Sequence, residues 1–123
     1  MEPSTYPQLT RIDLGHEADA VMQDYKNWVI TGVNDHCVRL AVMVGEYLWH
    51  LHPHSDECFL VLRGQLDIDI DAGTVHLGPG DLFTIPAGVR HRTRAHKRCV
   101  NVCFEHATAY ADAVFDGEGG TGR

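Results

Sequence analysis

His50, His52, Glu57 and His91 are the residues of this 123-residue chain whose types and spacing best suit chemistry. They lie in two short stretches, Trp49-His50-Leu51-His52-Pro53-His54-Ser55-Asp56-Glu57 and Pro86-Ala87-Gly88-Val89-Arg90-His91. Three imidazoles and one carboxylate suffice to hold one divalent ion. His50 and His52 stand two apart, so on a β-strand both rings leave the same face. Glu57 follows His52 by five residues, a spacing that alternation would send to the opposite face. Pro53 to Asp56 must therefore turn and reset the parity, with a second strand starting at Glu57. Nitrogen ligands with one carboxylate suit manganese, iron, cobalt, nickel, copper or zinc, and suit calcium or magnesium poorly. His52 and His54 share the same i, i+2 spacing, so His54 is an alternative ligand, although its place after Pro53 in the inferred turn favours a solvent-facing role.

The elements that must position these residues read as β-structure. From about residue 28 to 105 the chain is a series of short period-2 runs broken by glycine and proline. Gln65 to Asp71 alternates without a fault, placing Leu66, Ile68 and Ile70 in a core and the polar partners, Asp67 and Asp69 among them, in water. Ala72-Gly73 and Gly78-Pro79-Gly80 supply tight reversals. Many short strands at this spacing imply a barrel or sandwich. Residues 1–27 read as an arm with a short helix, because Ala18, Val21, Met22 and Tyr25 share a helical face. Residues 106–123 read as a short helix carrying Ala107, Tyr110, Ala111 and Val114, followed by a disordered tail from Gly117 to Arg123.

Gly45, His50-x-His52, four residues, Glu57, six residues and Gly64 match the first motif of the cupin superfamily; Gly80, five residues, Pro86-x-Gly88, two residues and His91 match the second. Over roughly residues 28–105 the chain resembles a small single-domain cupin. Gly45 stands one residue closer to His50 than is usual there, and Ala95 replaces an asparagine that often closes the second motif. The resemblance implies an all-β double-stranded β-helix, or jelly-roll barrel, with short flanking helices. It also implies one metal held by His50, His52, Glu57 and His91, since the Trp-His-x-His-Pro arrangement of relatives puts the histidine pair before the proline. Such a set leaves one or two positions of an octahedral ion open to substrate, water or dioxygen.

Parity then suggests what surrounds the ion. In the strand Cys37 to Val44, similar small cupins carry lysines at the places of Val42 and Val44, which marks that face as outward and leaves Arg39 and Met43 inward. Arg39 either grips a substrate carboxylate or phosphate, or reaches solvent at the rim. Met43, Phe59 and Val61 would form an apolar wall of the substrate pocket. Cys58 alternates outward from Glu57, and the run Arg90, Arg92, Arg94, Lys97, Arg98 reads as a solvated edge. No acidic residue besides Glu57 has a parity that places it inside; Tyr25, Tyr47 and His54 are the other candidates for moving protons.

The formal charge of −7 argues against nucleic acid as a partner. No apolar run is long enough to span a membrane and no signal segment opens the chain. Cys37, Cys58, Cys99 and Cys103 lack metal or redox spacing and read as reduced thiols of a cytoplasmic protein. Outward Val42 and Val44, repeated by Leu60 and Leu62, imply either a homodimer or a cover formed by the flanking helical segments. Two functions remain open. The first is a mononuclear metal enzyme with oxygenase, isomerase, cyclase or lyase chemistry on a small polar or anionic molecule. The second is a non-catalytic barrel that binds or senses a metal or small ligand, with a regulatory partner protein as a weaker variant.

Overall fold

A computed structural model describes residues 2–117 of the chain. Those residues form α1 (Leu14–Asp19), β1 (Tyr25–Val33), β2 (His36–Glu46), β3 (His50–Leu51), β4 (Glu57–Arg63), β5 (Leu66–Ile70), β6 (Gly73–Leu77), β7 (Leu82–Ile85), β8 (His91–His106), α2 (Ala109–Asp112) and β9 (Val114–Phe115). All pairings are antiparallel. The 16-residue β8 is the hub, pairing with β2, β3, β4 and β5. Register shifts between Met43 and Gly45 and between Val61 and Arg63 bend the partners around it. The result is the all-β double-stranded β-helix, with the two motifs meeting on β8 and its neighbours. Gly64 shows why this turn needs glycine: its φ is +76°, and a Cβ there would lie 2.5 Å from the Arg98 carbonyl oxygen.

Two apolar cores share the wall between them. Met43, Phe59, Val61, Leu66, Ile68, Ile85 and Cys99 fill the barrel, while Leu40, Val42, Val100 and Val102 pack outside it against Ala18, Val21 and Ile30. The inward and outward faces of β2 therefore follow the expected parity. The outward face is nevertheless dry at its centre: Val42 is fully buried beneath the α1 segment, and only Val44 of the pair is exposed. Of the two covers weighed for these valines, the N-terminal one is present within the chain.

Both flanking helices are shorter than their periodicity implied. Asp13 caps α1 by accepting from the His16 amide at 3.0 Å, so the helix starts at Leu14 and has ended before Met22. Tyr25 belongs to β1 and pairs with Met43. At the other end α2 is a single turn, and Val114 and Phe115 leave it to pair with Leu51 and His50. Strand pairing overrides the apolar spacing in both places. Of the tail expected to be disordered, Gly117 is in a turn and residues 118–123 lie outside the described residues.

Asp67 and Asp69 are a further correction. They are 9% and 6% exposed and do not stand in water, because β5 pairs with β8 so that Asp67 faces Arg94 and Asp69 faces Arg92. Asp69 accepts from Arg94 Nε at 2.7 Å, Arg92 Nε at 2.8 Å and Thr74 Oγ1 at 2.6 Å. Arg90, at the start of the same run, is tied to Asp116 and Asp71. Arg92 and Arg94 thus neutralise the buried Asp67 and Asp69, whereas the acids that hold Arg90 are exposed. Cys37, Cys99 and Cys103 are buried, Cys58 is half-buried, and none is in a disulfide. No helix among the described residues is long and apolar enough to cross a membrane.

Candidate metal centre

The reset of parity at Glu57 is built from a docked turn. Ser55 Oγ accepts from the His106 amide at 3.0 Å and donates to the Asp56 carbonyl, while Asp56 Oδ1 accepts from the Ala87 amide at 2.8 Å. The Gly88 amide donates to the His52 carbonyl at 2.8 Å, joining the Pro86–Gly88 turn to the His-x-His segment. These bonds hold the two motifs against each other. His50 pairs across strands with His91, and Glu57 sits between Ile85 and Glu105.

His50, His52, Glu57 and His91 converge, each offering one ligand atom within 4.8 Å of the others, and all four are buried. The Nδ1 atom of each histidine lies against a backbone carbonyl: His50 on Leu48 at 2.7 Å, His52 on Ala109 at 2.8 Å and His91 on Val89 at 2.9 Å. A carbonyl only accepts, so Nδ1 carries the proton and each Nε2 keeps its lone pair. His91 Nε2 and Glu57 Oε1 then face each other at 2.8 Å, and neither has a hydrogen-bond partner that this tautomer provides. Two buried acceptors at that distance repel unless a proton or a cation stands between them. The donor set thus fits one divalent transition metal.

Electrostatics point the same way. Burial drives the His50 imidazole down to about 4, keeping it neutral and able to ligate. Burial alone would raise the Glu57 carboxyl, but the neighbouring His91 and His52 imidazoles outweigh it and hold Glu57 below the usual carboxylate range. His54 is exposed and lies in a separate surface groove with His36 and His106, outside this cluster.

A second carboxylate adjoins the first. Glu105, 4% exposed, comes from the end of β8 and is raised above its ordinary range, first by burial and then by the neighbouring Glu57, against the pull of Arg39. Cys103 Sγ stands between the two acids, 3.6 Å from Glu57 Oε2 and 3.7 Å from Glu105 Oε1. The reading that no other acidic residue points inside is therefore wrong. Counting alternate residues from His91 along β8 reaches Thr93, Ala95, the exposed Lys97, Cys99, Asn101, Cys103 and Glu105, and that count was the available signal.

The centre opens into a cavity of about 330 Å³ lined in part by Arg39, Phe59, Tyr25, Tyr47 and Tyr110. Arg39 points inward and is 6% exposed, but it is not free of protein partners. Its Nε donates to Glu105 Oε2 at 3.0 Å, Nη1 to Asn27 Oδ1 at 3.0 Å and Nη2 to Glu2 Oε1 at 2.7 Å. Of the expected apolar wall, Phe59 lines the cavity, whereas Met43 and Val61 are packed in the barrel core and are not among the lining residues. The C-terminal segment closes one side: Phe115 stacks on His50 with centroids 5.4 Å apart, and Ala109 supplies the carbonyl that orients His52. Asp112 Oδ1 lies 3.6 Å from the same His52 nitrogen. Glu2, Tyr110 and Phe115 reach the cavity only through tertiary folding, and no local spacing marks them.

Comparison with known proteins agrees with this architecture. Residues 38–103 match the family model described as a cupin domain. The chain is 53% identical over 93 residues to an uncharacterized protein, YdbB, of Bacillus subtilis (strain 168), covering 75% of this chain and 82% of that one. It is 37% identical over 68 residues to the polyketide synthase CurC of Streptomyces cyaneus, covering 54% of this chain and 44% of that protein, so it spans less than half of that relative. A crystal structure of a cupin-2 domain containing protein from Shewanella frigidimarina superposes with a TM-score of 0.74 at 30% identity, over 77% of this chain and 93% of that one. With His50 on β3, His52 just beyond it, Glu57 on β4 and His91 on β8, and with both motifs inside the matched span, the chain belongs to the cupin family.

Proposed function

We propose that this chain is a mononuclear metal-dependent cupin enzyme acting on a small anionic organic molecule, with the ion held by His50, His52, Glu57 and His91. The observation that carries the reading is one cavity lined by three of the four converged groups, His50, His52 and Glu57, together with Arg39 and a second carboxylate, Glu105. A divalent ion bound there would supply a Lewis acid with an open position for a substrate oxygen. The chain's own residues provide the rest. The Leu48, Ala109 and Val89 carbonyls fix the imidazole orientations, and the C-terminal segment with its aromatic residues keeps water from that side of the cavity. Glu105 Oε1 is placed to hold or pass a proton beside the centre. The likeness of part of the chain to a protein named as a polyketide synthase supports oxygen-rich organic substrates.

The alternative, a barrel that binds or senses a ligand without converting it, has support in the full engagement of Arg39 by the protein itself. Protein loaded separately with manganese, iron, nickel and zinc separates the two. It would be offered a panel of enolisable carboxylic acids, with product formation and oxygen uptake both followed. Turnover in one metal form, lost in Glu105→Gln at unchanged metal content, is the expected result. Binding without turnover in every metal form would overturn the enzyme reading in favour of the binding module.

A further inference from the structure

The three arms of Arg39 are held very unequally. Glu105, the partner of Nε, is fixed inside the barrel wall and its side chain is 4% exposed. Glu2, the partner of Nη2, has a side chain 36% exposed and arrives from outside the barrel on the arm of residues 2–6. That arm runs beside β1, with the Thr5 and Tyr6 amides donating to the Val29 and Ile30 carbonyls and Glu2 Oε2 accepting from the Val29 amide at 3.0 Å. Glu2 nevertheless lines the same cavity as the metal ligands, and the Tyr110 ring covers the guanidinium at 5.0 Å. A carboxylate from outside the barrel is thus seated on the cavity's arginine.

We propose that Glu2 holds, on Arg39 Nη2, the place of a ligand carboxylate, and that the cavity takes a small organic monocarboxylate whose acid group displaces it. This deepens the reading of the cavity as a site for small anions and rests on it. The exchange conserves charge: one carboxylate leaves the guanidinium as another arrives, and Glu2 returns to water, where its side chain is already partly exposed. A neutral ligand would leave the Nη2 donor without its anionic partner. A phosphate dianion would bring a second negative charge toward Glu105 and Glu57, which already crowd each other. Monocarboxylates are therefore favoured over phosphates at this position.

The test uses the full chain loaded with zinc, with benzoate, benzamide and inorganic phosphate as probes. Calorimetry measures affinity and elemental analysis confirms equal metal content. A partly exposed ion pair shifts an equilibrium by up to about fivefold, so Glu2→Ala should tighten benzoate binding about three- to fivefold and leave benzamide and phosphate weak. In the wild type, benzoate should shift the Val29 amide resonance as Glu2 leaves it, and Arg39→Lys, which keeps the charge but not the fork, should weaken benzoate. Equal or weaker benzoate binding by Glu2→Ala, or phosphate binding as tight as benzoate, overturns the proposal while leaving the anion-site reading intact. If neither protein binds benzoate at all, the anion-site reading falls, and the placeholder with it.

Discussion

Replacing His91 by alanine, compared with the same change at His54, tests the metal centre most directly. His91 is 1% exposed, donates through Nδ1 to the Val89 carbonyl, and turns Nε2 toward Glu57 Oε1 at 2.8 Å. In metal-free protein the change removes one buried hydrogen bond, about 1 kcal/mol, and relieves the facing of two acceptors, so the net loss should be small for a core position. In metal-loaded protein the outcome differs. A ligand that binds only the folded state at a hundred times its dissociation constant stabilises by about 2.7 kcal/mol. For a domain of this size that is a rise of roughly 10 °C in melting temperature. Wild-type protein should show that rise when metal is added and lose it on chelation; His91→Ala should show little of it, and exposed His54→Ala should show all of it. Melting curves with and without chelator, paired with elemental analysis, provide the measurement. A full metal-dependent rise in His91→Ala, or its loss in His54→Ala, would refute the assignment of ligands.

Arg39→Met should cost folding stability as well as ligand affinity, by about 2 kcal/mol, because it strips the counterion from buried Glu105; urea unfolding of Arg39→Met, Glu105→Gln and the double variant should show that the two losses do not add. Asp69 is held below the usual carboxylate range, chiefly by hydrogen bonding to Arg94, so its contribution is present above the unfolded value near ~4 and is lost as pH falls below it. Asp69→Asn should therefore flatten the acid limb of stability between about pH 4 and 2, and an unchanged limb would count against that bonding. Val42→Lys places an ammonium at a fully buried site and should unfold the chain by several kcal/mol, where Val44→Lys should not. The homodimer is then a proposal resting on Val44 and the half-buried Leu60 and Leu62 alone, and sedimentation of Val44→Lys as a monomer against a dimeric wild type is its test.

The clustering of His50, His52, Glu57 and His91 and the β-rich fold were legible in the sequence: alternation gave a barrel or sandwich, and the resemblance of two short motifs selected the barrel and the four residues. His50 and His52 share a face through alternation alone, and Pro53 to Asp56 had to turn for Glu57 to join them. Glu105 was hidden for a physical reason. Over the last half of β8 both faces are buried, Val100 and Val102 in the outer core and Cys99 and Cys103 in the barrel, so the contrast of polar and apolar residues that reveals parity is weak there. Asp67 and Asp69 alternated as solvent-facing residues do, yet pairing with β8 set arginines against them. Apolar spacing located the flanking segments, but the Asp13 cap and the pairing of β9 with β3 decided their ends. Glu2 meets Arg39 across 37 positions of chain, and Ala109 meets His52 across 57. Contacts of that span depend on how the whole chain closes its barrel. The sequence by itself thus determined which residues could hold a metal and that Arg39 and Phe59 face inward, and the tertiary structure decided the rest of what surrounds them.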